Sequence, residues 1–154
     1  MSASTHAPAP ALGTAHQRLE VFIGKWINEG QTIARPDAAA VKILTSDVYE
    51  WMLGGHFVLH TAYGRIGNQD VGGTEILGYD AASQTYRSHF FDSQGNISAS
   101  TLAVQGDTWT WQGETTRCTA VFTDHGNTQT AHHEWSDDCK QWLPAMDVTL
   151  IKVE

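Results

Sequence analysis

Turn-forming residues interrupt this chain at short, regular intervals from Gly24 to its C-terminus, and that rhythm restricts the fold more than any other feature. Arg35-Pro36-Asp37, Gly54-Gly55, Gly72-Gly73, Asp80-Ala81-Ala82-Ser83, Gln105-Gly106-Asp107 and Ser136-Asp137-Asp138 are such interruptions. Between them lie short stretches rich in Val, Ile, Thr, Tyr, Phe and Trp, which fit a pleated, half-buried strand. The spacing predicts strands over Gly24–Ile33, Val41–Leu53, His56–Ile66, Thr74–Tyr79, Thr85–Asp92, Asn96–Gln105, Thr108–Glu114, Thr116–Thr123, Thr128–Trp135 and Trp142–Val153. One stretch, Ala15 to Ile23, has helical spacing instead, with Leu19, Phe22 and Ile23 at i, i+3 and i+4, Thr14 as N-cap and Gly24 as the stop. About ten short strands and one short helix predict an all-β fold, a small antiparallel barrel that closes on itself. An open sheet that wide would leave long edges unpaired.

The chain has 154 residues, enough for one domain with its own core and without disulfide or metal staples. Residues 15–154 are read as that single barrel domain. Met1 to Thr14, small residues with Pro8 and Pro10, are read as a disordered arm that lacks the pattern of a secretory signal. The expected compartment is therefore the cytoplasm, where Cys118 and Cys139 would stay thiols. Their spacing is not that of a C-x-x-C metal or redox pair. A formal charge of −8 and the lack of any Lys/Arg run argue against nucleic acid and against an anionic membrane as partners. No apolar stretch approaches the ~20 residues of a membrane-spanning helix.

A barrel's interior must be filled by its own side chains or by a ligand and water. Three titratable residues lie in mid-strand with apolar residues two positions away: Glu50 beside Val48 and Met52, His60 beside Val58 and Ala62, and His89 beside Phe91. A cavity would place an acid, a base or a hydrogen-bond anchor at such positions. The alternative, equally open from one sequence, is that they face solvent on the outside. No metal is expected. His56 and His60 would sit ~13 Å apart on a strand, and the His132-x-Glu134 pair, ~7 Å apart on one face, needs a third ligand from a neighbouring strand. The sequence holds no G-x-S-x-G, P-loop or G-x-G-x-x-G.

The helix running into Gly24-Lys25-Trp26, a G-x-W on the first strand, resembles the opening of the calycin superfamily of lipocalins and fatty-acid-binding proteins. With Leu53-Gly54-Gly55-His56-Phe57 and Leu77-Gly78-Tyr79-Asp80, the chain from about Leu19 onward is similar to a family of uncharacterised bacterial lipocalin-like barrels that carry an L-G-G-[RH]-F turn and an L-G-Y-D strand end. The resemblance implies the fold and places Trp26 at the barrel floor under the helix. It implies little chemistry, because fold does not fix function. More distantly, the start resembles the haem-binding nitrobindins and their G-x-W-x-G-x-G. Here Asn28 replaces a glycine of that pattern, and Trp142–Val153 has no His to serve as an axial ligand, so haem and other cofactors are not expected.

The expected function is binding of a small, largely apolar molecule in the barrel, with Trp26, Glu50, Val58, His60, His89, Phe91 and Trp111 lining the site and the entrance at the end opposite the helix. The alternative is an enzyme of isomerase, hydratase or cyclase type that uses Glu50, His60 and His89 for acid/base chemistry in the same cavity. A third class is a packed barrel that serves in oligomerisation, for which an outward aromatic band would point to a homodimer.

Overall fold

The structure is a computed structural model, which describes residues 12–154. Ten antiparallel strands close into a barrel: β1 (Gly24–Thr32), β2 (Lys42–Trp51), β3 (Phe57–Ile66), β4 (Gln69–Asp80), β5 (Thr85–Asp92), β6 (Ile97–Gln105), β7 (Thr108–Gly113), β8 (Thr116–Thr123), β9 (Thr128–Trp135) and β10 (Leu143–Lys152). Each strand pairs with its neighbours in sequence, and β1 pairs with β10 to complete the ring. Closure leaves no unpaired edge, which meets the expectation of an all-β closed barrel.

The predicted helix is present but divided. Thr14–Gln17 is α-helical (α1) and Arg18–Phe22 tightens into a 3-10 turn. Thr14 is the first helical residue rather than the cap, and Gly13 caps it, its carbonyl accepting from the Gln17 amide at 3.1 Å. The expected arm over residues 1–14 lies outside the described residues up to residue 11. Among the described residues, no helix is long and apolar enough to cross a membrane.

The segment plugs one end of the barrel. Leu19 and Phe22 are fully buried, and Phe22 packs edge-on against Trp109 and Phe122 and flat against Tyr49. The Tyr86 hydroxyl donates to the Ala15 carbonyl at 2.6 Å, Arg18 donates to the Gly106 carbonyl at 2.9 Å, and the Trp51 indole donates to Glu20. The G-x-W residues belong to this end. Trp26 is buried, and its indole donates to the Phe22 carbonyl at 2.9 Å. Gly24, at φ +138°, leaves room for Lys152, whose ammonium sits 5.5 Å from the Trp26 ring centre. A Cβ on Gly24 would lie 2.4 Å from the Lys152 side chain, in a backbone region that L-residues rarely adopt.

One predicted boundary was wrong. Gly72-Gly73 does not break the chain before a strand at Thr74; β4 starts at Gln69, directly after the Gly67-Asn68 turn, and runs through both glycines. Close packing explains them, since a Cβ on Gly73 would lie 2.6 Å from the Phe90 ring.

Candidate functional site

Strand phase decides what the barrel contains. On β2 the buried side chains are those of Ile43, Thr45, Asp47 and Tyr49; on β3, Val58 and His60; on β4, Glu75 and Leu77; on β5, Tyr86 and Ser88. Alternate residues point inward together, so the polar members of these rows meet inside the barrel. They form one chain of hydrogen bonds. Asn28 donates to the Thr45 hydroxyl at 3.1 Å, and Thr45 donates to Asp47 Oδ1 at 2.5 Å. His60 lies between two carboxylates, with Nε2 2.6 Å from Asp47 Oδ2 and Nδ1 2.8 Å from Glu75 Oε1. The other Glu75 oxygen accepts from the Ser88 hydroxyl at 2.5 Å and from the Trp111 indole at 3.2 Å. Register makes the triad: His60 is paired directly with Glu75 across β3 and β4, and with Tyr49 across β2 and β3.

The triad is nearly sealed, with Asp47 5%, Glu75 7% and His60 8% exposed. Burial by itself disfavours the charged imidazole, but hydrogen bonds to Asp47 and Glu75 outweigh it and push the His60 pKa up to about 9. With acceptors on both sides, both ring nitrogens donate, and the ring is an imidazolium at neutral pH. Burial would raise the Glu75 carboxyl, yet the bonds from His60, Ser88 and Trp111 and the imidazolium charge hold it below its usual range. Burial, then the charges of Glu75 and Asp47, push the Tyr49 phenol well above its usual value. Beside the triad, Cys118 and His133 are paired across β8 and β9, with Sγ 3.6 Å from Nε2. Burial, together with the Glu75 charge, pushes the Cys118 thiol up to about 12; burial, then the neighbouring His132, lowers His133.

The two ends of the interior differ. At the plugged end Leu19, Phe22, Trp26, Val58, Leu77 and Trp109 are at most 2% exposed. Toward the opposite end the inward positions carry small residues, among them Ala62, Gly64, Gly73, Ser98, Ser100 and Gly113. Ser98 is exposed, and Phe90, Trp111, Cys118, His133 and Met146 are part-exposed. The half of the barrel beyond the polar layer is therefore the more open one, although Ile43 within it is only 2% exposed and the Phe90 ring occupies the space beside Gly73.

Of the residues expected to line the site, Trp26, Val58, His60 and Trp111 point inward. Glu50, His89 and Phe91 do not. Glu50 is exposed between inward-facing Tyr49 and Trp51, and His89 and Phe91 are exposed on the strand that turns Tyr86 and Ser88 inward. Their apolar neighbours at two-residue spacing, Val48, Met52 and Phe91 itself, lie on the outer face too, so the flanking pattern misled. His89 lines an outer groove of about 160 Å³ with Arg87, Thr101 and Gln112, and a second outer groove of about 360 Å³ runs past Ile27, Leu44, Tyr63 and Arg65. The layer's carboxylates, Asp47 and Glu75, escaped the sequence reading. A signal existed, because Asp47 shares parity with Ile43 and Tyr49, and Glu75 with Leu77 and Tyr79.

The two pairs weighed for metal binding are on other duty or apart. His132 faces Asp147, and Glu134 takes the Arg117 guanidinium at 2.7 Å. Among the described residues, no group of three or more His, Cys, Asp or Glu is placed to hold a metal ion. Cys118 and Cys139 are free thiols.

A family model described as "Protein of unknown function (DUF1579)" matches residues 11–148. None of the curated proteins is a match for the chain. Among solved structures, the chain is similar to Rv2717c from M. tuberculosis, with a TM-score of 0.66 and 15% identity over 94% of this chain and 100% of that one. It is also similar to the S-type phycobiliprotein lyase CPES from Guillardia theta, with a TM-score of 0.62 and 10% identity over 94% and 99% of the two chains. At these identities the likeness is one of fold.

Proposed function

The chain belongs to the DUF1579 family, a membership that assigns no activity, and we propose that it binds a small, largely apolar molecule in the open half of its barrel. The carrying observation is the contrast along the barrel axis: inward positions are sealed at the helix end and, apart from Ile43, mostly small or part-exposed at the other. A ligand seated there would have Phe90, Trp111 and Met146 as apolar walls and the polar layer beneath it. The lipocalin-like G-x-W start supports the same reading, as does the barrel shared with a phycobiliprotein lyase. The ligand would occupy half the barrel, because Trp26, Trp109 and Phe122 fill the rest.

Acid/base catalysis is less well supported. Both His60 nitrogens and all four oxygens of Asp47 and Glu75 are already in hydrogen bonds, which ties up the protons that an acid/base step would have to move.

A neutral hydrophobic dye such as Nile red tests the binding reading. Saturable one-to-one fluorescence enhancement is expected, together with its loss in Ser100→Trp, which fills the open half. No saturable uptake, or uptake indifferent to Ser100→Trp in a folded variant, would refute it.

A further inference from the structure

The buried triad contains two carboxylates and one imidazolium, and so carries a net negative charge with no second cation to balance it. All nine Lys and Arg lie among the described residues, and none reaches this layer. Lys25, Arg65, Arg87 and Arg117 pair with Glu154, Asp70, Asp80 and Glu134, respectively. Lys152 covers Trp26 at the plugged end, Arg18 holds the Gly106 carbonyl, and Lys42 is exposed. At the open end Arg35, Lys42 and Lys140 are exposed at the rim beside the paired Arg65 and Arg117, and the Arg35 guanidinium rests 5.4 Å from the Trp135 ring centre. An unbalanced charge in a buried layer is costly unless something neutralises it.

Among the described residues, the buried side-chain atoms left without a hydrogen-bond partner are Asn28 Oδ1, an acceptor at the edge of the layer, and Gln129 Nε2, a donor on β9. His133, whose lowered pKa leaves it neutral at pH 7, has its Nε2 3.6 Å from the Cys118 sulfur and adds no positive charge. Trp111 and Phe90 present aromatic faces, which attract cations. A carboxylate pushed into this half would meet Glu75 and Asp47 with no cation on the floor to receive it.

Resting on the binding reading above, we propose that the open half selects a cationic apolar molecule, such as an alkyl or aryl amine, whose ammonium sits above Glu75 against Trp111. Fatty-acid-type carboxylates are excluded. The bound cation would bring the layer to neutrality.

Three ten-carbon probes that differ only in the head group test this at pH 7.5, read by Trp fluorescence: decylamine, decanol and decanoate. Decylamine is expected to bind roughly tenfold or more tightly than decanol, and decanoate not measurably. In Glu75→Gln the amine-to-alcohol ratio is expected to fall to about one; Asp47→Asn, which removes the same charge, replaces it if that variant does not fold. Decanol binding as tightly as decylamine would overturn the charge selection while leaving the binding site standing. An amine preference that persists in both folded variants would overturn it too, by tracing the preference to surface charge. Decanoate binding that is lost in Arg35→Ala would show that the rim, not the floor, selects the head group. Failure of all three probes to bind would remove the binding site itself.

Discussion

The Tyr49 ring lies flat on the His60 imidazole, with ring centres 3.9 Å apart and planes 8° from parallel. On its other side Tyr49 stacks on Phe22, at 5.6 Å and 19°. A single aromatic column thus joins the helical plug to the charged layer, and Tyr49 is the residue through which the packed end bears on the polar one. An imidazolium on a phenol face gains the attraction of a cation for a ring quadrupole.

Tyr49→Leu should therefore lower the His60 pKa. A cation–ring attraction of about 0.5–2 kcal/mol corresponds to roughly 0.4–1.5 pH units. Imidazole nitrogen NMR across a pH series measures it, and an unchanged titration would show that the stack contributes packing alone.

Stability should fall on both sides of a slightly acidic optimum. His60 is raised from 6.5 to about 9, so its contribution is complete below about pH 6.5 and is lost as pH rises through about 9. Glu75 is lowered, so its contribution is present above its usual value of 4.5 and is lost as pH falls through its folded-state value. Urea unfolding at pH 5.5, 7.5 and 9.5 should show a loss of a few kcal/mol, in order of magnitude, from the first to the last. His60→Gln should flatten the alkaline side.

Removing the central cation should cost more than removing either end of the triad. His60→Ala leaves two facing carboxylates buried without their counter-ion, a loss of about 3–5 kcal/mol. Asp47→Asn keeps the shape and one ion pair and should cost less. Denaturant midpoints of the two variants give the order.

The outer-face residues should be nearly silent. Glu50→Ala and His89→Ala should each fall within about ±0.5 kcal/mol of the parent. Trp26→Ala should lose about 3–5 kcal/mol, since it empties the floor and leaves the Phe22 carbonyl without its donor. Thermal melts of the three variants read this contrast directly.

Only one of the two thiols should react in the folded protein. Cys139 is exposed, whereas Cys118 is largely enclosed and its thiol is held to about 12. Ellman's reagent at pH 8 should titrate one thiol promptly and the second only after urea is added.

The sequence carried the architecture because strand period and turn chemistry are local. Eight to twelve residues suffice to write a strand and a turn, and the boundaries of β5, β8 and β9 coincide with those expected. Gly72-Gly73 misled because a glycine inserted for close packing looks the same in sequence as one inserted for a turn. Site residues were legible only in part. His60 stood out as a lone imidazole among apolar neighbours, but Glu50 and His89 offered the same local pattern from the opposite face.

By itself the sequence determined an antiparallel barrel with a short helical plug, because each strand, each turn and the helix is encoded within its own residues. Only the tertiary structure decided which face of each strand is inside. A one-residue change of phase exchanges every inward side chain for an outward one, and that phase is set by closure of the ring and the packing of Phe22, Trp26 and Tyr49, not by any single strand. It also decided that Asp47, His60 and Glu75, on three different strands, meet in one buried charged layer. Their union depends on the register of β2, β3 and β4, a long-range relation between residues that are no neighbours in the chain.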